Sequence, residues 1–127
     1  MEKTLKNIES FKICTFCQKE WDDLLELLHD SDLVINGYQA SFDDSMEGIF
    51  LLTHHKDDCG TTIAIKSGKF RELYEGPDYK IHNAFSPTCE GHCSVVDDLE
   101  PCKQECDMRW ARDIIQVLKH HGKKSTN

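Results

Sequence analysis

Seven cysteines and seven histidines in 127 residues set the chemistry open to this chain. Four of the cysteines lie in CEGHCSVVDDLEPCKQEC, as two C-x3-C pairs, Cys89/Cys93 and Cys102/Cys106, with eight residues between the pairs. Zinc takes four thiolate or imidazole ligands in a tetrahedron. Thiols this close in sequence supply such a set at small loop-closure cost. Three more cysteines lie upstream: Cys14 and Cys17, a C-x2-C pair, and Cys59, which shares a turn with His54 and His55. On a strand those two histidines point to opposite faces. His54 is preferred as a ligand, because its distance from Cys59 leaves room for the turn. Cys14, Cys17, Cys59 and His54 then make a second site, and seven cysteines plus one histidine supply eight ligands for two zinc ions.

Other uses of these thiols compete with this reading. The pairs can combine across the two groups, and His92, inside CEGHC, can replace a cysteine as ligand. Four thiolates also hold iron–sulfur clusters, so the late group admits one. Free cysteines also serve as small buried apolar residues. A C-x2-C between a strand and an amphipathic helix is the local setting of a thioredoxin-like or glutaredoxin-like redox site, but the alternating β and α pattern of those folds is missing here.

The bulk composition narrows the setting. With 39% hydrophobic and 30% charged residues, the chain reads as globular rather than disordered. No apolar run approaches the length of a membrane span, and the N-terminal stretch MEKTLKNIESFKIC has no apolar core of a secretory signal. A cytoplasmic location is expected, where thiols bind metal or catalyse more often than they form disulfides. The odd cysteine count agrees. A formal charge of −8 disfavours nucleic acid, which needs a basic face. The one basic cluster, from Lys119 to Lys124, reads as a solvated tail.

The elements that must position these ligands are legible in outline. Trp21, Leu24, Leu25 and Leu28 fall at helical spacing, which predicts a helix over 18–28 stopped by Asp30-Ser-Asp32. A strand is expected over 33–42, interrupted near Gly37. The apolar runs 48–54 and 61–65, joined by HKDDCG, read as an antiparallel hairpin. Residues 70–74 fit a short helix or strand, and 78–88 can hold one more strand. The last helix is expected to begin at Pro101, with Cys102, Cys106, Trp110, Ile114, Val117 and Leu118 on one stripe and Gly122 at its end. That start would point Cys102 and Cys106 to one face, where the helix N-terminus favours thiolate. The doublets Asp22/Asp23, Asp43/Asp44, Asp57/Asp58 and Asp97/Asp98 read as turns and helix starts.

The segments FKICTFCQKEW, INGYQASF, CGTTIAI, ELYEGP, CEGHC and LEPCKQEC together resemble a group of small cysteine-rich bacterial proteins of unassigned function. The likeness spans roughly residues 11–118 and implies no activity. It supports treating the cysteine pairs as one shared design.

The expectation is an α+β protein: a small antiparallel sheet flanked by an N-terminal and a C-terminal helix and stapled by metal. One domain should cover 11–121, after a loose segment 1–10 and before a disordered tail 122–127. Neither a phosphate-binding glycine loop nor a hydrolase elbow occurs. The sequence therefore points to a zinc-stabilised binding or regulatory module meeting a protein partner, with neither nucleic acid nor membrane involved. A thiol-redox or iron–sulfur electron-transfer protein is the alternative.

Overall fold

A computed structural model describes residues 10–121. The loose segment expected before residue 10, the tail 122–127 and the helix stop at Gly122 lie outside the described residues. The chain runs as β1 (Lys12–Ile13), β2 (Glu20–Trp21), α1 (Leu24–Leu28), β3 (Leu33–Gln39), β4 (Ile49–His54), β5 (Thr62–Lys66) and α2 (Arg109–His121), with short 3-10 turns at Ser45–Glu47, Ser67–Leu73 and His92–Ser94. β1 and β2 form a small antiparallel hairpin, and β3, β4 and β5 form an antiparallel meander in that order. This is the expected α+β architecture. No helix among the described residues is long and apolar enough to cross a membrane.

Alternating polarity makes the meander. β5 buries Ile63 and Ile65 and exposes Thr62, Ala64 and Lys66, the pattern of a sheet with one covered face. The interruption expected near Gly37 is a register shift between Ile35 and Gly37. After it, Gly37 and Tyr38 are both buried. Gly37 admits the loop around Val96, whose Cγ1 would stand 3.0 Å from any added Cβ. The Val96 carbonyl accepts from the Tyr38 amide at 2.8 Å, which ties the late cysteine loop to the sheet. Inside, Phe50 packs against Tyr38 and Phe70, and Phe70 packs edge-on against Phe11. Each such buried side chain contributes roughly 1.5–3 kcal/mol.

Both expected helices are shorter than their apolar stripes suggest. α1 begins at Leu24, because Glu20 and Trp21 pair with β1 and Asp23 caps the helix by accepting from the Glu26 amide at 2.9 Å. The buried positions are therefore Leu24, Leu27 and Leu28, and Leu25 is 59% exposed. α2 begins at Arg109, not Pro101. Its covered face, Trp110, Ala111, Ile114, Ile115 and Leu118, packs on β3 and the Ser67–Leu73 turn. Cys102 and Cys106 precede the helix in irregular chain. The Glu100 carbonyl, which a helix from Pro101 would use internally, instead accepts from Arg112 at 2.6 Å. Helix-end stabilisation of thiolate at Cys102 and Cys106 is thereby lost. The strand considered for 78–88 is absent, and β3 stops at Gln39, short of Phe42.

Candidate metal centre

Cys14 and Cys17 occupy the turn of the β1–β2 hairpin rather than the start of a helix. The Cys14 amide donates to the Lys19 carbonyl, and the Gln18 amide returns to the Cys14 carbonyl, each at 2.8 Å. Gln18 adopts a left-handed conformation, φ 69°, to reverse the chain, a strain worth about 1–2 kcal/mol for a residue with a Cβ. His54 ends β4. The turn after it is closed by the His54 amide on the Thr61 carbonyl at 2.8 Å, and by the Gly60 amide on the His54 carbonyl at 2.9 Å. Gly60 sits at φ 86°, where glycine carries no such penalty. This geometry folds Cys59 back over His54.

The two turns meet. Cys14, Cys17, His54 and Cys59 place one ligand atom each within 4.8 Å of all the others. Cys14 Sγ lies 3.7 Å from Cys59 Sγ, and Cys17 Sγ lies 3.5 Å from His54 Nδ1. Tetrahedral zinc with ordinary Zn–S and Zn–N bonds requires about 3.8 Å between sulfurs and about 3.5 Å from sulfur to nitrogen. These two edges match the metal's geometry, and three thiols with one imidazole suit a borderline-soft cation. The group can hold a metal ion. It pairs Cys14 and Cys17 with the hairpin turn and not with either late pair. His54, fully buried, is the histidine in it, and His55 is exposed.

Two thiols of the group are shifted in opposite directions. Burial pushes the Cys14 thiol up, but the amides of Cys17 and Phe16 and the thiols of Cys17 and Cys59 more than reverse this, leaving it below its ordinary value. Cys59 moves the other way, raised by burial and by its thiol neighbours against a pull from the Thr61 amide.

Two residues beside the candidate ligands, one at each cysteine group, carried no recognisable metal signal in the sequence. His54 Nε2, the nitrogen facing away from Cys17, is 3.8 Å from Asp30 Oδ2. That oxygen accepts from the Trp21 indole at 2.8 Å, and Trp21 lies edge-on to the His54 ring at 5.3 Å. A carboxylate behind a ligating imidazole fixes its tautomer and raises its basicity. Asp30, Asp32 and His54 also converge within 4.8 Å. However, Asp30 is already engaged by Trp21 and by the Asp32 amide at 2.9 Å, and its carboxylate stands behind His54 at ion-pair rather than hydrogen-bond distance. The second residue, Arg112, lies beside the late cysteines.

Cys89, Cys93, Cys102 and Cys106 line one cavity of about 30 Å³, together with His92 and Arg112. Among the described residues no three of their sulfurs lie within 4.8 Å of one another, so they are less tightly gathered than the first group. Burial pushes the Cys93 thiol up to about 11, with Arg112 opposing and the other three thiols adding to the rise. Burial likewise raises Cys106, against the pull of the Met108 and Asn83 amides. His92 is a poor candidate ligand. Its Nδ1 meets Asp98 at 2.9 Å and its Nε2 meets Glu90 at 3.0 Å. Hydrogen bonding to Asp98 raises its pKa, against burial.

The acidic doublets behave as turn residues. Asp23 and Asp44 cap helical turns, and Asp98 accepts from the Glu100 amide at 3.0 Å. No protein-family model matches the chain, and neither a curated protein nor a solved structure shows significant similarity to it.

Proposed function

We propose that Cys14, Cys17, His54 and Cys59 hold one structural zinc ion, and that the stapled chain is a cytoplasmic binding or regulatory module that meets a protein partner. The observation that carries the metal reading is the pair of ligand edges, 3.7 Å between sulfurs and 3.5 Å from sulfur to nitrogen. Four protein ligands close the tetrahedron and leave no position for a water nucleophile, which is the mark of a structural rather than catalytic zinc. The ion ties the β1–β2 turn to the β4–β5 turn, two pieces far apart in sequence. Its binding free energy therefore feeds into folding. The acidic charge of −8 favours a protein partner over a polyanion. Exposed apolar side chains such as Phe16 and Phe85 are suited to such contacts.

Metal analysis of untagged protein, purified under reducing conditions, tests the assignment. At least one zinc per chain is expected, and the Cys14→Ser/Cys17→Ser variant should carry one fewer than the wild type. Protein with no zinc at this centre overturns the reading. So does reversible cycling of Cys14 and Cys17 through a disulfide under physiological reductants, which would place the chain among thiol-redox proteins.

A further inference from the structure

We infer that Cys89, Cys93, Cys102 and Cys106 form a second, all-thiolate divalent-cation site, with Arg112 as its buried counter-charge. This site is independent of the first centre and goes beyond the function proposed for it. Cys93, in the His92–Ser94 turn, and Cys89, Cys102 and Cys106, in irregular chain, line the same cavity, about 30 Å³ in size. That volume is enough for an ion or a water. Shared volume alone does not identify a ligand, but two further features do.

The first is the set of backbone amides aimed at sulfur. Cys102 Sγ accepts from the Gln104 amide at 3.4 Å, and Cys106 Sγ accepts from the Asn83 amide at 3.3 Å and the Met108 amide at 3.5 Å, while its own thiol donates to Asp107 Oδ1 at 3.6 Å. A neutral thiol is a weak acceptor, whereas a metal-bound thiolate is an anion that such amides stabilise.

The second feature is Arg112, whose side chain is completely excluded from solvent although it carries a permanent charge. It donates to the carbonyls of Glu100 at 2.6 Å, Asp98 at 2.7 Å and His92 at 3.4 Å. Its carboxylate contact is Asp98 Oδ1, at 3.4 Å. The loop it stitches runs from next to Cys93 to just before Cys102. Four thiolates around a divalent ion carry a net −2, and burying that charge costs several kcal/mol unless a cation is near. A guanidinium in the cavity wall supplies the cation without competing for the metal, since it has no acceptor atoms. The first centre, with a neutral imidazole in place of one thiolate, carries only −1 when loaded. Loading the late site requires the sulfurs to draw together to about 3.8 Å, a movement of loop rather than of sheet or helix.

The full chain, stripped and reloaded with zinc, tests this by native mass spectrometry. Wild type should take up two zinc ions. Cys89→Ser/Cys102→Ser should keep one, and Cys14→Ser/Cys17→Ser should keep the other. Mass-mapped alkylation of the wild type decides the matter if a variant does not fold: zinc should slow modification of Cys89, Cys93, Cys102 and Cys106 at least tenfold. A wild type that binds one zinc, lost in Cys14→Ser/Cys17→Ser, overturns the proposal. So does alkylation of the late four at the same rate with and without zinc, or brown protein with iron and acid-labile sulfide. For the counter-charge, Arg112→Gln should weaken the late site by roughly ten- to a hundredfold, with partial recovery in Arg112→Lys. Unchanged zinc affinity in Arg112→Gln, or no recovery in Arg112→Lys, overturns that role.

Discussion

Replacing Cys17 by serine isolates what a metal ion at the first candidate centre would contribute to stability. Its ligands fall into two local pairs, Cys14/Cys17 and His54/Cys59, and an unfolded chain can offer either pair to zinc at little cost. What the fold adds is the meeting of the pairs. Cys17 and His54 are separated by 37 residues, and Cys14 and Cys59 by 45. On the chain-entropy relation, closing one loop of that length costs about 3.8–4.0 kcal/mol at 25 °C. The folded chain has met this cost before zinc arrives. Zinc should therefore favour the folded over the unfolded chain by about 4 kcal/mol, and that preference is the stability it confers. For a chain of this length the shift is roughly 4 °C per kcal/mol, or about 16 °C in Tm. Cys17 is only half-buried, so the serine itself should cost the metal-free fold under about 1 kcal/mol. The assay is thermal melting of wild type and Cys17→Ser, each in saturating zinc and in excess chelator, followed by circular dichroism. The gap should be about 16 °C in zinc and nearly vanish in chelator. Equal melting in zinc would refute the reasoning. A gap that persists undiminished in chelator would also refute it, since the loss would then be one of packing.

Three further outcomes follow from particular contacts. Asp30→Asn keeps the size of the group behind His54 but removes its charge, so zinc affinity at the first centre should fall roughly 10- to 100-fold in a competition titration; an unchanged affinity would remove Asp30 from the centre. Tyr38 is fully buried with no hydrogen-bond partner for its hydroxyl among the described residues, and burial holds its pKa well above the ordinary 10. A folded pKa above the unfolded one means stability that is whole below pH about 10 and lost as pH rises past it. Tyr38→Phe should thus be neutral or stabilising by up to about 1 kcal/mol at pH 7, with a shallower alkaline loss in a urea-melt series against pH; an identical alkaline limb would contradict this. Phe70→Ala, which empties the junction of Phe11 and Phe50, should cost about 3–5 kcal/mol in denaturant melts while leaving zinc stoichiometry intact, and a loss of zinc would show that core and centre are not separable.

The sequence by itself determined the parts governed by local pattern. The hairpin of β4 and β5 follows from β-rich runs around turn residues, and the irregularity near Gly37 appears where the glycine predicts it. The cluster of Cys14, Cys17, Cys59 and His54 that can hold a metal was also legible, because residue types and the choice between His54 and His55 depend on spacing within one turn. Helical periodicity misled at Leu25 and at Cys102 and Cys106. A stripe shows which side chains can share a face, but not whether the backbone there is helical, and the answer lay in distant partners. Trp21 is held by β1, and the Glu100 carbonyl is claimed by Arg112. Only the tertiary structure could bring the 14–17 turn against the 54–59 turn, put Asp30 behind His54, and bury Arg112 beside the late thiols. These arrangements pair residues remote in sequence, and what selects them is the cost of leaving a buried charge or ligand without its partner, which no local pattern encodes.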